Sequence, residues 1–351
     1  MRGLAVVIMI ECHVFNSFVR PDLRDGGPYV YSQFVGGMAA PLFMFMAGMT
    51  TGFQMESLAR REPAALRRWL ISLRRAGYIL GIAFLFRLTN YLGSLPGGNP
   101  REITKVDILN CMGVGMALFA SCALFGPANR VRFALLGALA IAAATPVMAH
   151  LPWDGVPQLL RAYLVPFGGS GQSPARGLFP FFPFASYLGF GLAAGVVVKR
   201  APEDRFERLM QWSAVGGFVL VFAAQYLANL PYSIYPETDF WSDNPSLILI
   251  RVGVVLVLMS GSYVWTEYCA STGWSWMQCL GKNSLMVYWV HVMMVYGGVA
   301  KPIKRSMSIP MAAASTVLVT ALMVALSEAW LRWKARRREK PGPAVAPVAA
   351  G

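Results

Sequence analysis

Long apolar runs recur along the whole chain and predict its secondary structure. Each run is about 17–25 residues long, the length that an α-helix needs to cross the hydrocarbon core of a bilayer. The pattern therefore predicts an all-α integral membrane protein, a single polytopic bundle of about ten transmembrane helices. The runs cover approximately residues 3–19, 35–53, 77–95, 106–125, 133–150, 177–198, 211–231, 246–266, 283–300 and 310–330.

The connections between the runs are too short to hold a soluble domain, so we predict one membrane domain over residues 1–334. Residues 335–351 are basic and then rich in Pro and Ala, which is typical of a disordered tail. Leucines among arginines over 55–76 predict an amphipathic helix at the membrane interface. The first run has the look of a signal peptide, but Glu11 and His13 lie inside it and no small-residue cleavage site follows. We therefore expect it to remain as the first span.

Composition supports the membrane assignment. Hydrophobic residues make up 56% of the chain and charged residues 14%, against about 25% charged in an average soluble domain. The mean hydropathy is +0.49. A soluble chain this apolar would lack the polar surface to stay dispersed, so lipid is the simpler solvent. The five cysteines have neither metal-binding nor redox spacing, and no metal site is expected.

The net charge of +14 is distributed unevenly along the chain. Basic residues cluster in three segments, within 60–75, 199–208 and 332–340. An even number of predicted spans separates each cluster from the next, so all three lie on the same side of the membrane. With these inside, 20 of the 31 Lys and Arg residues are cytoplasmic, nine are external and two lie within spans. The bias predicts that both termini are cytoplasmic. Topology thus accounts for the basic pI without a nucleic-acid partner, and an anion docking at the cytoplasmic face is the alternative.

Ionisable residues within a membrane cost free energy, so each is a functional hypothesis. His13 lies in the first run, and its ring suits proton transfer near neutral pH. Arg87 in the third run and Asp107 at the start of the fourth either neutralise each other as a structural pair or act in catalysis. Arg251 either snorkels to the outer surface or belongs to a site, and His291 is either a hydrogen-bonded packing residue or a site residue.

Five segments in a fixed order resemble a known family of membrane enzymes. They are RGLAVVIMIECHVFNSF from Arg2, APLFMFMAGMTTGF at 40–53, DILNCMGVGMALF at 107–119, FPFFPFASYLGFGLAAG at 179–195 and GKNSLMVYWVH at 281–291. Together they resemble the heparan-α-glucosaminide N-acetyltransferase-like family of bacterial membrane proteins. Arg2 and His13, with ten residues between them, match an element of the wider transmembrane acyltransferase superfamily.

The resemblance implies acetyl transfer across a bacterial inner membrane. Acetyl-CoA would be the donor on the cytoplasmic side, and an amine or hydroxyl of an extracytoplasmic sugar or envelope glycan would be the acceptor. His13 matches the catalytic histidine and Asp107 the acidic residue of the DIL motif. The family usually has an acidic residue before the Arg-Gly pair, but here the chain begins at Met1, and we expect the natural start to lie upstream.

A thioester is already activated, so the enzyme needs a base or nucleophile, a proton route and a dry site. His13 would act as the base or as the acyl acceptor, and Asp107 would hold its imidazole in the useful tautomer. Arg87 or Arg251 would stabilise the oxyanion. The remaining candidates for binding the substrate or the CoA phosphates are His291, Asn16, Asn90, Arg67, Arg68, Arg74 and Arg75.

Two other functions remain compatible with the sequence. A transporter or exporter of a small polar or lipid-linked solute would use the buried charges to line a path, although the chain shows no paired repeats of the transporter kind. A non-catalytic relative would have a structural role. The predicted partners are acyl-CoA, a glycan acceptor and the lipid bilayer, with a homodimer left open.

Overall fold

A computed structural model describes residues 1–93, 95, 99–153, 155–164, 179–269 and 273–338. The described residues are helical apart from short connections and one isolated bridge between Val19 and Met307. The α-helices, in chain order, are α1 (Arg2–Phe18), α2 (Gly27–Gly36), α3 (Ala39–Arg61), α4 (Ala65–Leu92), α5 (Ile108–Phe119), α6 (Pro127–His150), α7 (Gln158–Leu164), α8 (Phe181–Arg200), α9 (Glu203–Ala228), α10 (Pro245–Val264), α11 (Trp276–Lys282), α12 (Ser284–Tyr296) and α13 (Ile309–Arg338).

Seven helical segments among the described residues are long and apolar enough to cross a membrane. Two shorter apolar segments, Ile108–Leu124 and Ser284–Tyr296, and the 17-residue α1 fall below that length. Each of the ten predicted runs overlaps a helix, which confirms the all-helical membrane class. The count of ten spans and the cytoplasmic position of both termini stay predictions.

The described residues form two compact units. The larger unit holds the described residues of Phe34–Gly273, and the smaller unit holds residues 2–33 and 274–338. The predicted single domain over 1–334 and its boundary with the tail stay predictions. Helix α13 continues to Arg338, and the Pro/Ala-rich part of the predicted tail, like residues 165–178 of the long connection after α7, lies outside the described residues.

The larger unit is organised around a close crossing of α3 and α8. Gly48 and Gly52 on α3 lie against the α8 backbone at Leu188 and Leu192, and Gly191 and Gly195 on α8 lie against the α3 backbone at Phe45 and Met49. A Cβ atom at Gly191 would collide with the Phe45 carbonyl, so only glycine permits this approach. Small residues four positions apart let membrane helices pack with their backbones in contact. Van der Waals packing stabilises such a crossing, because the hydrophobic effect does not drive helix association within lipid. Two of the five family-like segments therefore meet each other in this crossing.

The predicted interfacial helix over 55–76 is wrong as a separate element. Helix α3 continues to Arg61 and α4 begins at Ala65, so the segment is divided between the ends of two long helices. The break falls at residues 62–64, where Pro63 removes a backbone donor and disfavours helical geometry in the residue before it. The arginines on either side are good helix formers and extend both helices beyond their apolar runs.

In the smaller unit, α1 packs against α11, α12 and α13. A Cβ atom at Gly3 would collide with the Met277 carbonyl, so the start of α1 lies directly on α11. Ser17, near the other end of α1, donates a buried hydrogen bond of 2.9 Å to the Val295 carbonyl of α12. The first and the last family-like segments thus lie side by side, and this placement brings their histidines together.

Candidate functional site

His13 of α1 and His291 of α12 form a hydrogen-bonded imidazole pair in the smaller unit. The His13 Nδ1 atom lies 2.9 Å from the His291 Nε2 atom. The ring centroids are 5.1 Å apart and the planes differ by 12°. The centroids are thus separated by the nitrogen-to-nitrogen distance plus roughly one radius of each ring, so the rings lie edge to edge in nearly one plane. This is the geometry of an in-plane N–H···N hydrogen bond.

The two rings differ in accessibility. His291 is 0% exposed, and its Nδ1 atom lies 2.6 Å from the Val287 carbonyl one turn earlier on α12. His13 is half-buried and keeps part of its ring open. The pair therefore has an inner imidazole fixed to the backbone of its own helix and an outer imidazole that a substrate can reach.

Tyr296 and Asn16 form the rim of this pair. The Tyr296 ring meets the His13 ring edge-on, with 5.3 Å between centroids and 69° between planes. The Asn16 amide donates a hydrogen bond of 3.3 Å to the Tyr296 hydroxyl. Asn16 is exposed and lies one turn after His13, and its predicted role in substrate binding stays a prediction. Sequence reasoning missed Tyr296, which follows His291 by five residues.

Two cations close the ends of the helices that carry the histidines. Arg24 donates to the carbonyls of Asn16 and Val19 at the end of α1, at 2.8 Å and 2.9–3.1 Å. Lys304 donates to the Tyr296 carbonyl, the last of α12, at 2.6 Å. Burial lowers the pKa of Lys304, and the charge of Lys301 lowers it further. Cations at helix C-termini satisfy orphan carbonyls and favour the helix dipole, which gives Lys304 a structural reason to be there.

Arg87 and Asp107 lie together in the larger unit, as the sequence predicts. Their side chains form an ion pair at 3.0 Å, with 10% and 2% of each side chain exposed. Asp107 is also the N-cap of α5, because its carboxylate accepts from the backbone amides of Leu109 and Asn110 at 2.9 and 3.4 Å. The Asp107 amide in turn donates to the Asn110 side-chain oxygen at 3.2 Å, completing a capping box. The Asp107 carboxylate thus caps the N-terminus of α5 and also pairs with the guanidinium of Arg87.

Other predicted polar residues of the larger unit have their own local partners. The Asn110 amide donates to the Tyr163 hydroxyl at 3.1 Å. The Asn90 amide donates to the Phe86 carbonyl of its own helix at 3.0 Å. Arg251 is half-buried and lies beside the hydroxyl of Tyr187. The binding roles of Asn90 and Arg251 stay predictions.

The four arginines proposed for the CoA phosphates differ in how many contacts their guanidinium groups make within the protein. Arg68 donates to the carbonyls of Ala123, Glu62 and Pro63 and so ties α4 to its neighbours. Arg75 donates to the Gln54 side chain. Arg67 is largely exposed, with a long contact of 3.7 Å to Glu62, and Arg74 is exposed. Arg67 and Arg74 therefore have the freer guanidinium groups of the four.

Sequence reasoning missed the most buried ion pair of the larger unit. Arg130 is 1% exposed and Glu56 is 3% exposed. Their side chains are in direct contact, and Arg200 lies 3.3 Å from the second Glu56 oxygen. Arg130 also donates to the carbonyls of Cys122 and Phe125. A single carboxylate near the end of an otherwise apolar run was the available signal, because such a charge needs a partner.

The structure therefore joins His13 to His291 and Arg87 to Asp107, each pair inside one unit. A comparison with protein families identifies one match to this chain. The model of the heparan-alpha-glucosaminide N-acetyltransferase catalytic domain matches residues 1–231 of the 351-residue chain. The matched part contains His13, Arg87 and Asp107 and ends before Arg251 and His291. A search of curated proteins finds no significant relative.

Proposed function

The chain belongs to the heparan-alpha-glucosaminide N-acetyltransferase catalytic family, and from that premise we propose the reaction of this membrane acetyltransferase. It moves an acetyl group from acetyl-CoA on the cytoplasmic side to an amine or hydroxyl of a sugar or glycan on the other side. His13 acts as the general base or as the acyl acceptor. The donor, the side of each substrate and the role of His13 are parts of this proposal.

The arrangement of His13 is the observation that supports the proposal most directly. The residue follows Arg2 with ten residues between them, within the family-matched segment. Its ring is half-buried, and a hydrogen bond at Nδ1 holds it in place. A ring fixed through one nitrogen presents the other nitrogen in a defined direction, which general-base or nucleophilic catalysis needs.

The proposed reaction balances without any further reactant. The acceptor nitrogen or oxygen forms a bond to the acetyl carbon, the carbon–sulfur bond of the thioester breaks, and the acceptor proton ends on the CoA sulfur. His13 carries that proton between the two, which contributes about 10²–10⁴ to the rate. In the covalent variant the imidazole nitrogen holds the acetyl group between two half-reactions. The finer assignments of Arg87 or Arg251 to the oxyanion and of Arg67 and Arg74 to the CoA phosphates belong to the same proposal.

The bias of basic residues supports the proposed direction of transfer. With clusters at 60–75, 199–208 and 332–340 in the cytoplasm, the connection 232–245 is external. Single cysteines placed at 199–208 and at 232–245 in a background without the native thiols test this. We expect an impermeant reagent to label only the second position from outside. The opposite pattern contradicts the direction of transfer.

Transfer itself is tested with inside-out vesicles that contain the wild-type protein or the His13→Ala variant. Acetyl-CoA with a labelled acetyl group is supplied outside these vesicles, and glucosamine is enclosed as the probe acceptor. We expect labelled N-acetyl product inside wild-type vesicles and almost none with the variant. Label that enters without becoming covalently bound favours a transporter, and equal transfer by the variant removes His13 from the mechanism. His150→Gln, which changes the one histidine outside the imidazole pair, is the matched control.

A further inference from the structure

We infer that His291 is a positioning residue that sets the tautomer of His13 and leaves the Nε2 atom of His13 as the basic nitrogen. The inference rests on the proposed function for its catalytic meaning and on the geometry of the imidazole pair for its chemistry. His291 lies outside the family-matched residues 1–231. The assignment therefore comes from the contact between α1 and α12.

The first step concerns the inner ring. A backbone carbonyl only accepts hydrogen bonds, so the contact of 2.6 Å between His291 Nδ1 and the Val287 oxygen requires a proton on Nδ1. In a neutral imidazole one nitrogen donates and the other accepts. The Nε2 atom of His291 is then bare and turns its lone pair toward the other ring.

The second step follows at the contact between the rings. The Nε2 lone pair of His291 needs a donor, and the atom 2.9 Å away is Nδ1 of His13. His13 therefore carries its proton on Nδ1, and its Nε2 atom is free to accept a proton. The pair forms one directed chain of hydrogen bonds, from His13 through His291 to the Val287 carbonyl.

The opposite direction would need a protonated His291. That ring is fully buried, and its described contacts are His13, Tyr288 and the Val287 carbonyl, none of which is a carboxylate. An isolated buried cation is costly, whereas a neutral ring with both nitrogens hydrogen-bonded has no desolvated charge. Burial and hydrogen bonding thus favour the same tautomer.

The difference in accessibility separates the roles of the two residues. His291 is 0% exposed and has no free nitrogen, so it acts through His13 and not on the substrate. When His13 Nε2 takes the acceptor proton, the ring becomes an imidazolium and its Nδ1–H bond to His291 becomes charge-assisted and stronger. A carboxylate has this duty in hydrolase triads. Here a neutral ring does the same without a buried negative charge.

The tautomers are measured directly by ¹⁵N NMR of the purified protein labelled at histidine. The chain has three histidines, so six ring nitrogens appear, and the variants His13→Gln, His150→Gln and His291→Gln assign them. We expect protonated Nδ1 and bare Nε2 in both His13 and His291, with a scalar coupling across the Nδ1–Nε2 hydrogen bond. A proton on Nε2 of His13 with a bare Nδ1 overturns the inference.

Two variants of similar size test the catalytic consequence. In His291→Gln the amide oxygen lies near the former Nε2 atom and accepts from His13, so we expect kcat within about 10-fold of wild type. In His291→Leu the acceptor is lost, so both tautomers are populated, the ring is no longer held in place and the imidazolium loses its hydrogen bond. Together these losses should lower kcat by roughly 10²–10⁴. The KM for acetyl-CoA should change little in either, because His291 does not touch the substrate. Acetyl transfer from acetyl-CoA to glucosamine is the assay.

Ser17→Ala is the matched control for damage to packing. It removes the buried hydrogen bond to Val295 between the same two helices and leaves the rings in place, so kcat should stay near wild type. Equal kcat for the Gln and Leu variants contradicts the inference, and if the Leu variant does not fold, the Gln variant and the NMR spectra still decide it. Wild-type protein with the expected tautomers but without acetyl transfer would refute the proposed function alone. Transfer with the opposite tautomer would refute only the role of His291.

Discussion

The two units stabilise their buried polar side chains by different kinds of interaction. In the larger unit, Arg130 is joined to Glu56 and Arg87 to Asp107. In the smaller unit, the most buried titratable contact joins two imidazoles, His13 and His291, with no charge of opposite sign. One unit neutralises charge with charge, and the other satisfies neutral rings with hydrogen bonds.

The difference separates structural groups from chemical ones. The carboxylate of Asp107 is committed to two backbone amides and a guanidinium, and Arg130 is committed to a carboxylate and two carbonyls. Groups committed in this way hold helices together and have little capacity left for a substrate. The imidazole pair ends in a half-buried ring with one nitrogen to spare, which is what proton transfer requires.

The largest expected effect comes from the accessible ring. His13→Ala should lower acetyl transfer by about 10²–10⁴, or more if the ring is acetylated during turnover, while the protein still inserts and folds. Folding survives because alanine is apolar and favours helix. Turnover of acetyl-CoA and the melting temperature in detergent are measured on the same preparation. A variant that loses turnover only in proportion to a loss of folded protein would place His13 among the structural groups.

The most buried ion pair should give the largest effect on stability. Glu56→Ala leaves the buried Arg130 without its carboxylate, which costs about 3–5 kcal/mol. Arg130→Ala should cost less, because Arg200 still lies 3.3 Å from Glu56. The double variant should recover much of that loss, because neither charge remains. Thermal unfolding in detergent and membrane yield give the comparison. Additive losses in the double variant would show that the two residues are not coupled.

Asp107 allows its two structural duties to be separated. Asp107→Asn keeps an N-cap side chain but breaks the ion pair with Arg87, whereas Asp107→Ala loses both. We expect the alanine variant to be less stable than the asparagine variant by about 1 kcal/mol, the typical value of an N-cap. Combining Arg87→Ala with Asp107→Asn should restore stability lost by either change alone. Equal melting temperatures of the two Asp107 variants would contradict the capping role.

The smallest effects are expected at the rim of the imidazole pair. Tyr296→Phe keeps the ring edge against His13 and removes the hydroxyl that accepts from Asn16. Because Asn16 is exposed, that hydrogen bond contributes only about 0.5–1.5 kcal/mol. We expect acetyl transfer to fall less than 10-fold, with any change appearing in the KM of the acceptor. A loss as large as that of His13→Ala would move Tyr296 into the catalytic chemistry.

Sequence reasoning succeeded where one local signal decided the outcome. Apolar run length identified the helices, and two opposite charges in consecutive runs, Arg87 and Asp107, identified their pair. The sequence could not predict the contact between His13 and His291. Run length and topology do not show which helices are neighbours or which of their faces meet. Glu56 and Arg130 were missed for a related reason. Arg130 was counted only as a marker of orientation, although both residues are almost fully enclosed.

The order of synthesis gives the imidazole pair a further consequence. His13 leaves the ribosome well before its partner, which follows 278 positions later. At about 5–20 residues per second, this interval lasts roughly 15–55 s. A nascent chain stalled before α12 contains every family-matched residue and still lacks the acceptor for the His13 proton. In the proposed mechanism a chain that stops before α12 lacks a directed base, so efficient acetyl transfer begins only after α12 has been made and has packed against α1.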